Sequence, residues 1–334
     1  MMVLTVMLSA LIGFQQAAGQ AAVEQQSSTF SVSVDLVKIP LSVVDEQRAL
    51  IHDLHPRDFR LYEDGIRQEI RSIGIDANPV SAVLLLDTSA TVEKELDNIK
   101  DAARTFTDAL APKDRISIIT FNDRAKLALD WTSDHKAVRK AIGKLRSGGR
   151  TALYDAMVMA ANSQLGKVEG RRAIILLTDG LNNQSYMTFR QAALAITQSQ
   201  ATLYVVSKTI MMRQEARTQR RVVMLSDIYR RMFGEHDYIE QFFGRIETEL
   251  TELAESTGGR CYFPADYDQI PGAYADAARD LRSQYFLTYV SNQKKAPNSY
   301  HRIELEYIRS SSTLNYRRGY YFEPEPVNFP VRRW

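Results

Sequence analysis

Cysteine is almost missing from this chain of 334 residues, where Cys261 stands alone. One thiol excludes an internal disulfide framework and a four-thiolate zinc site, and it says nothing against export. Beside the apolar pair Tyr262-Phe263 it reads as a small buried residue. Histidine is scarce as well. His52, His55, His135, His236 and His301 are scattered and form no His-Glu-x-x-His pair, which argues against a zinc hydrolase. The chain has no Gly-x-Ser-x-Gly elbow, no Gly-Lys-Ser/Thr phosphate loop and no Gly-x-Gly-x-x-Gly fingerprint. The commoner hydrolase, nucleoside-triphosphatase and dehydrogenase classes therefore lack their signatures, and the chain is read as a non-enzyme. Charge of one sign is lacking too: 42 Lys and Arg face 40 Asp and Glu, a net +2. No chain-wide field draws in nucleic acid or an anionic membrane, so any basic function must be local.

Long hydrophobic runs are also lacking. The opening MMVLTVMLSALIGFQQAAGQAA holds an apolar run of about a dozen residues and then small residues, with cleavage expected after Gly19 or Ala21. No Lys or Arg precedes the run, yet it is too short to span a bilayer and a Gln-rich stretch follows. Residues 1–21 are read as a signal peptide. This places the protein outside the cytoplasm, whether periplasmic, secreted or attached to the envelope, with no transmembrane span after the leader.

With 45% hydrophobic residues the chain can bury a full core, and by length it should hold about two domains. Phe30 to Leu36 alternates apolar and polar residues as a half-buried strand does, opening a β-rich unit over 28–76. In this unit Glu63-Asp64-Gly65 supplies the positive-φ residues of a tight hairpin. Residues 79–290 form an α/β domain, because continuous apolar runs (VSAVLLLD, RISIITF, RRAIILLTD, ATLYVVS, RCYF and YFLTYV) alternate with helical segments. Such runs predict a doubly wound, mostly parallel sheet covered on both faces. The first helix carries Leu96, Ile99, Ala102-Ala103, Phe106 and Ala109-Leu110 as one stripe. A later one carries Ile239, Phe242-Phe243, Ile246, Leu250 and Leu253-Ala254, with Gly258-Gly259 placed for a left-handed cap. Residues 291–334 alternate again as a β-rich extension, which can close against the N-terminal unit since neither has enough apolar residues to stand alone.

The chemistry gathers at three loops. Asp87-Thr88-Ser89-Ala90-Thr91 ends the first strand, Ser147-Gly148-Gly149-Arg150-Thr151 opens a helix, and Thr178-Asp179-Gly180 ends a later strand. Ligands of open α/β sheets bind at that carboxyl edge. Each segment alone is more often a turn or a helix cap. Together they offer two carboxylates and three hydroxyls, hard oxygen donors that suit Mg²⁺, Mn²⁺ or Ca²⁺ and not zinc or copper. Few of these donors are charged. The cation would stay electron-poor and attract a carboxylate from outside.

In these residues the sequence resembles the von Willebrand factor type A family, whose metal-ion-dependent adhesion site reads Asp-x-Ser-x-Ser, then Thr, then Asp. The matching positions are Asp87, Ser89, Thr91, Thr151 and Asp179, with Thr91 departing from Ser by one methyl group. The resemblance implies that Asp87 or Asp179 acts through a bridging water while the hydroxyls bind directly. It also implies that an Asp or Glu of a protein partner completes the sphere. Asp58-Phe59, Tyr62-Glu63-Asp64-Gly65, Gln68 and Arg317-Arg318-Gly319-Tyr320 look like the exported members of this family abundant in Acidobacteria. Asn182 and Asn183 read as ordinary loop residues.

One local basic feature remains, the insert 209–234 with Arg213, Arg217, Arg220, Arg221, Arg230 and Arg231. Its Val222, Leu225, Ile228-Tyr229 and Met232 recur at helical spacing, and Met211, Met212 and Met224 add soft apolar area, so it reads either as a partner-binding amphipathic helix or as a solvated flap. The alternative to metal-dependent adhesion is accordingly an envelope assembly protein with a vestigial metal site, binding through this insert or the β flanks.

Overall fold

The computed structural model describes residues 36–47, 49–218, 238–309 and 312–328. The leader, nearly all of the first expected strand and residues 219–234 of the insert lie outside the described residues. Four strands come first: β1 (Leu36–Val44), β2 (Phe59–Glu63), β3 (Ile66–Gln68) and β4 (Ile70–Ile75). Then follow β5 (Val80–Asp87), α1 (Leu96–Ala109), β6 (Arg115–Phe121), β7 (Ala125–Thr132), α2 (His135–Gly143) and α3 (Leu153–Met159). The middle of the chain gives β8 (Arg171–Thr178), α4 (Phe189–Ser199), β9 (Thr202–Ser207), α5 (Thr209–Thr218) and α6 (Tyr238–Ser256). Last come β10 (Arg260–Tyr262), α7 (Ile270–Ser283), β11 (Tyr285–Val290), β12 (Ser299–Tyr307), β13 (Thr313–Tyr316) and β14 (Gly319–Phe322).

The α/β fold has a six-stranded sheet in the order β10-β9-β8-β5-β6-β7, parallel except for β7. β5 is buried along its whole length. Its alternate residues explain how: Ala82, Leu84 and Leu86 pack with Ile99 and Phe106 of α1, Val138 of α2 and Tyr274 of α7. Val83 and Leu85 face the other way, toward Leu153 of α3, Ile196 of α4 and Leu253 of α6. Cutting one such side chain, as in Leu84→Ala, costs about 2–5 kcal/mol. The α6 stripe is buried at Phe243, Leu250, Leu253 and Ala254, whereas Phe242 falls off its edge and is 53% exposed. Gly258 follows with φ of 81°, and Gly259 N–H donates to Ala254 O at 3.0 Å, closing the helix end.

Two strands depart from the sequence reading. β7 was not anticipated, because it is an edge strand whose Lys126, Leu127 and Ala128 are exposed, so it carries no continuous apolar run. β11, expected as the last strand of the α/β series, instead pairs antiparallel with β1 and β4. Its buried residues are alternate ones, Leu287 and Tyr289, the signature of a strand with one face on a core.

The flanks form two antiparallel sheets, β13-β1-β11-β4 and β14-β12-β2-β3, each mixing strands from both sides of the α/β domain. Between them lies a core of Ile39, Leu41, Leu61, Leu287, Ile303 and Leu305. The hairpin after β2 has Asp64 at φ 49° and Gly65 at φ 79°. Asp64 Oδ1 accepts from Arg302 N–H at 2.8 Å, and Asp64 Oδ2 lies 2.8 Å from His301 Nδ1. Ser299 Oγ is 2.8 Å from His301 Nε2, but its proton goes to Ala296 O at 2.5 Å. The Ser299-His301-Asp64 line thus fastens the hairpin; it does not aim a hydroxyl at a base.

Candidate metal centre

All five expected residues stand at the carboxyl edge of the parallel sheet or at the adjoining turn before α3. Asp87 closes β5, Asp179 follows β8, and Thr151 sits two residues before α3. Asp87, Ser89 and Asp179 have no exposed surface and Thr151 has 1%, while Thr91 is exposed. Ser89 N–H donates to Asp87 Oδ1 at 2.8 Å, which folds the loop back on the strand end. The Ser89 and Thr91 hydroxyls are 2.8 Å apart, and Thr91 Oγ1 donates to Asp179 Oδ2 at 3.2 Å. Two of the three loops are thereby joined oxygen to oxygen.

The third loop is tied in through its backbone. Ala90 N–H donates to Gly149 O at 3.0 Å, and Gly148 N–H to Thr88 O at 2.9 Å. On its other side Thr151 N–H donates to Asn183 Oδ1 at 2.9 Å, and Asn183 N–H returns to Thr151 O at 3.1 Å. Asn182 Oδ1 accepts from Leu153 N–H at 3.1 Å. Both asparagines therefore hold the Thr151 turn against the Asp179 loop.

After Asp179 the chain must turn at once. Gly180 has φ of 76°, and a Cβ there would lie 2.2 Å from Ile246 Cγ2 of α6, so no side chain fits. Leu181 N–H then caps Asp179 Oδ1 at 2.9 Å.

Two buried oxygens in this cluster bond to nothing else: Asp87 Oδ2 and Thr151 Oγ1. Leaving such groups unmatched costs about 1–3 kcal/mol each. Burial, followed by the nearby Asp179 charge, pushes Asp87 up to about 6 against the opposing pull of the Ser89 hydrogen bonds and of Lys208. Burial likewise raises Asp179, opposed first by Lys208. A divalent cation meets both needs, since it supplies the missing partner and the missing positive charge. Among the described residues no group of three or more His, Cys, Asp or Glu is placed to hold a metal ion, so any cation held here would need the hydroxyl oxygens as well.

Sequence reading missed one buried cation. Lys208, just past β9, has no exposed surface and donates to Glu95 Oε2 at 2.8 Å. Glu95 also accepts from the Tyr267 hydroxyl, which in turn reaches Glu215 of α5 at 3.1 Å. A lysine after an apolar strand looks in sequence like the start of a solvated loop, and nothing nearby announces its partner Glu95, which lies 113 residues away.

Residues 82–182 match the family model described as von Willebrand factor type A domain, which supports assigning the α/β domain to that family. An uncharacterized protein of Synechocystis sp. is 33% identical over 108 residues, 31% of this chain. The chain spans about a quarter, 26%, of the length of that curated relative. Among solved structures, a von Willebrand factor type A protein from Catenulispora acidiphila has a TM-score of 0.47 at 10% identity, covering 86% of this chain and 72% of its own. Proximal thread matrix protein 1 from the mussel byssus, solved with a zinc-occupied MIDAS motif, has a TM-score of 0.47 at 16% identity, covering 67% and 50%. BatB from Bacteroides thetaiotaomicron has a TM-score of 0.43 at 17% identity, covering 60% and 98%.

Proposed function

We propose that this protein is a divalent-cation-dependent protein-binding module of the adhesion type and catalyses no reaction. Asp87, Ser89, Thr91, Thr151 and Asp179 hold Mg²⁺, with Mn²⁺ or Ca²⁺ as substitutes, and an Asp or Glu carboxylate of a partner completes the coordination sphere. The observation that carries this reading is that Asp87 Oδ2 and Thr151 Oγ1 are buried and partnerless, on loops tied by hydrogen bonds to those of the joined Ser89-Thr91-Asp179 oxygens.

The local charge supports a carboxylate as the outside ligand. Asp87, Asp179 and Glu95 carry three negative charges when ionised, and Lys208 offsets one. One divalent ion brings the group to neutrality, so an incoming carboxylate meets an electron-poor metal and no net repulsion. The first residues, read as a leader, favour a place outside the cytoplasm, and the Asp58-Phe59 to Gln68 and Arg317 to Tyr320 segments favour the exported branch of the family. Among the described residues no helix is long and apolar enough to cross a membrane. In the described part of the arginine-rich insert, Arg213 binds Glu240 and Glu247 of α6 and Arg217 binds Glu240, so these two are engaged within the chain.

Thermal melting with and without Mg²⁺ or Mn²⁺ tests the reading. A saturating cation at about 100 times its Kd adds about 2.7 kcal/mol to the wild type, and Asp87→Ala removes that gain. An undiminished rise in the melting temperature of Asp87→Ala would contradict it.

A further inference from the structure

The amino-terminal edge of the parallel sheet, away from the metal centre, presents a different kind of anomaly. A cavity of about 200 Å³ lies where β8 and β9 begin, walled by Arg171, Arg172 and Gln200 on one side and by Lys38, Phe286 and Arg317 of the flank on the other. Three guanidinium groups share this space. Arg171 is 7% exposed and Arg317 8%. Lys38 has its own partner in Asp76, but none of the three arginines forms an ion pair with a carboxylate among the described residues.

Their hydrogen bonds go to neutral carbonyls. Arg171 donates to Asp76 O at 2.7 Å and to Leu281 O at 2.5 Å, and its guanidinium stacks 5.3 Å from the Phe286 ring centre. Arg172 donates to Ser199 O at 3.0 Å, while Arg317 donates to Lys38 O at 3.4 Å and to Gln200 O. Carbonyl oxygens satisfy N–H groups but leave net charge in place. The Nε–H groups of Arg171 and Arg172 are buried and bond to nothing. The crowding has a further sign: burial, and then the charge of Arg172, push Arg317 down to about 10.

Arg171 and Arg317 are buried and Arg172 is half-buried. Asp76 and Asp114 act on Arg171 and Glu169 on Arg172 without forming an ion pair with either. Like charges held this close with unspent donors are costly unless a counter-ion joins them. We propose that this cavity is a binding site for a small dianionic oxyanion of the phosphate or sulfate class, held by Arg171, Arg172 and Arg317 with Lys38 at its edge. The planar guanidinium presents parallel N–H groups that match two oxygens of a tetrahedral anion, and a dianion offsets two of the three charges. At about 30 Å³ per water molecule, the cavity has room for such an anion and several waters. Because Lys38, Phe286 and Arg317 belong to the flank and Arg171 and Arg172 to the first residues of β8, the bound anion fastens the antiparallel sheets to the α/β domain. This inference is independent of the metal centre.

Calorimetric titration of the intact protein with inorganic phosphate, at constant ionic strength in chloride, tests it. One saturable site per chain is expected in the wild type, unchanged in Arg67→Gln and weakened by about tenfold or more in Arg172→Gln, which loses a charge-assisted contact. Sulfate should compete, acetate should not, and glycerol phosphate distinguishes a free ion from a phosphate ester by binding more weakly or more tightly than phosphate. Melting the wild type in phosphate against chloride at matched ionic strength needs no variant, and should show a higher melting temperature in phosphate. Absence of a saturable site, equal affinity in Arg172→Gln, a preference for acetate, or equal melting in both salts would overturn the proposal.

Discussion

Asp87 and Asp179 share a buried edge of the sheet where neither can be solvated, and both are pushed toward their protonated forms. For Asp87, at about 6 against an ordinary 3.8, the folded chain binds more protons than the unfolded chain between those values. The contribution of Asp87 to stability is therefore greatest below pH 3.8 and is lost as pH rises through about 6. A bound cation reverses the preference, because it favours the ionised carboxylates and competes with protons. Denaturant unfolding with and without Mg²⁺, from about pH 5 to about pH 8, should show a metal-dependent gain that grows with pH. A gain that is flat or falls with pH would contradict this coupling. At this scale the sequence located the loops but not the charge: the Asp-x-Ser-x-Thr and Asp segments stand out because they follow apolar runs, and the Thr151 segment because it opens a helix. The ammonium of Lys208 and its partner Glu95 meet only through the fold.

Among the elements, α6 sets the geometry of the Asp179 loop from outside. Ile246 fills the space a Cβ on Gly180 would need, so the turn that follows Asp179 depends on a missing side chain. Gly180→Ala adds a Cβ at positive φ and overlaps Ile246 Cγ2; it should lower stability by about 2–4 kcal/mol in denaturant unfolding. A loss below about 0.5 kcal/mol, the size of an ordinary surface substitution, would show that α6 does not press on this turn. The buried central strands were legible because a sheet covered on both faces requires unbroken apolar runs, as β5 and β8 have. Edge and one-faced strands escaped: β7 exposes too much to carry a run, and the short apolar stretch of β11 fits a parallel or an antiparallel partner equally well until β1 and β4 are in view.

Across the whole described chain, two antiparallel sheets built from segments before and after the α/β domain share one core. The sequence suggested that these segments meet, since each is too poor in apolar residues to stand alone. Which strand pairs with which was hidden, because alternation fixes the buried face of a strand but not its neighbour. The arginine-lined cavity was hidden for the same reason: Lys38, Arg171 and Arg317 are far apart in the chain and come together only where the flank meets the first residues of β8. The metal centre remains the claim on which function turns. Calorimetric titration of the protein with Mg²⁺ and Mn²⁺, wild type beside Asp179→Ala, tests it most directly. The account predicts one saturable site per wild-type chain and none in the variant; no binding to the wild type, or the same binding in both, would contradict it.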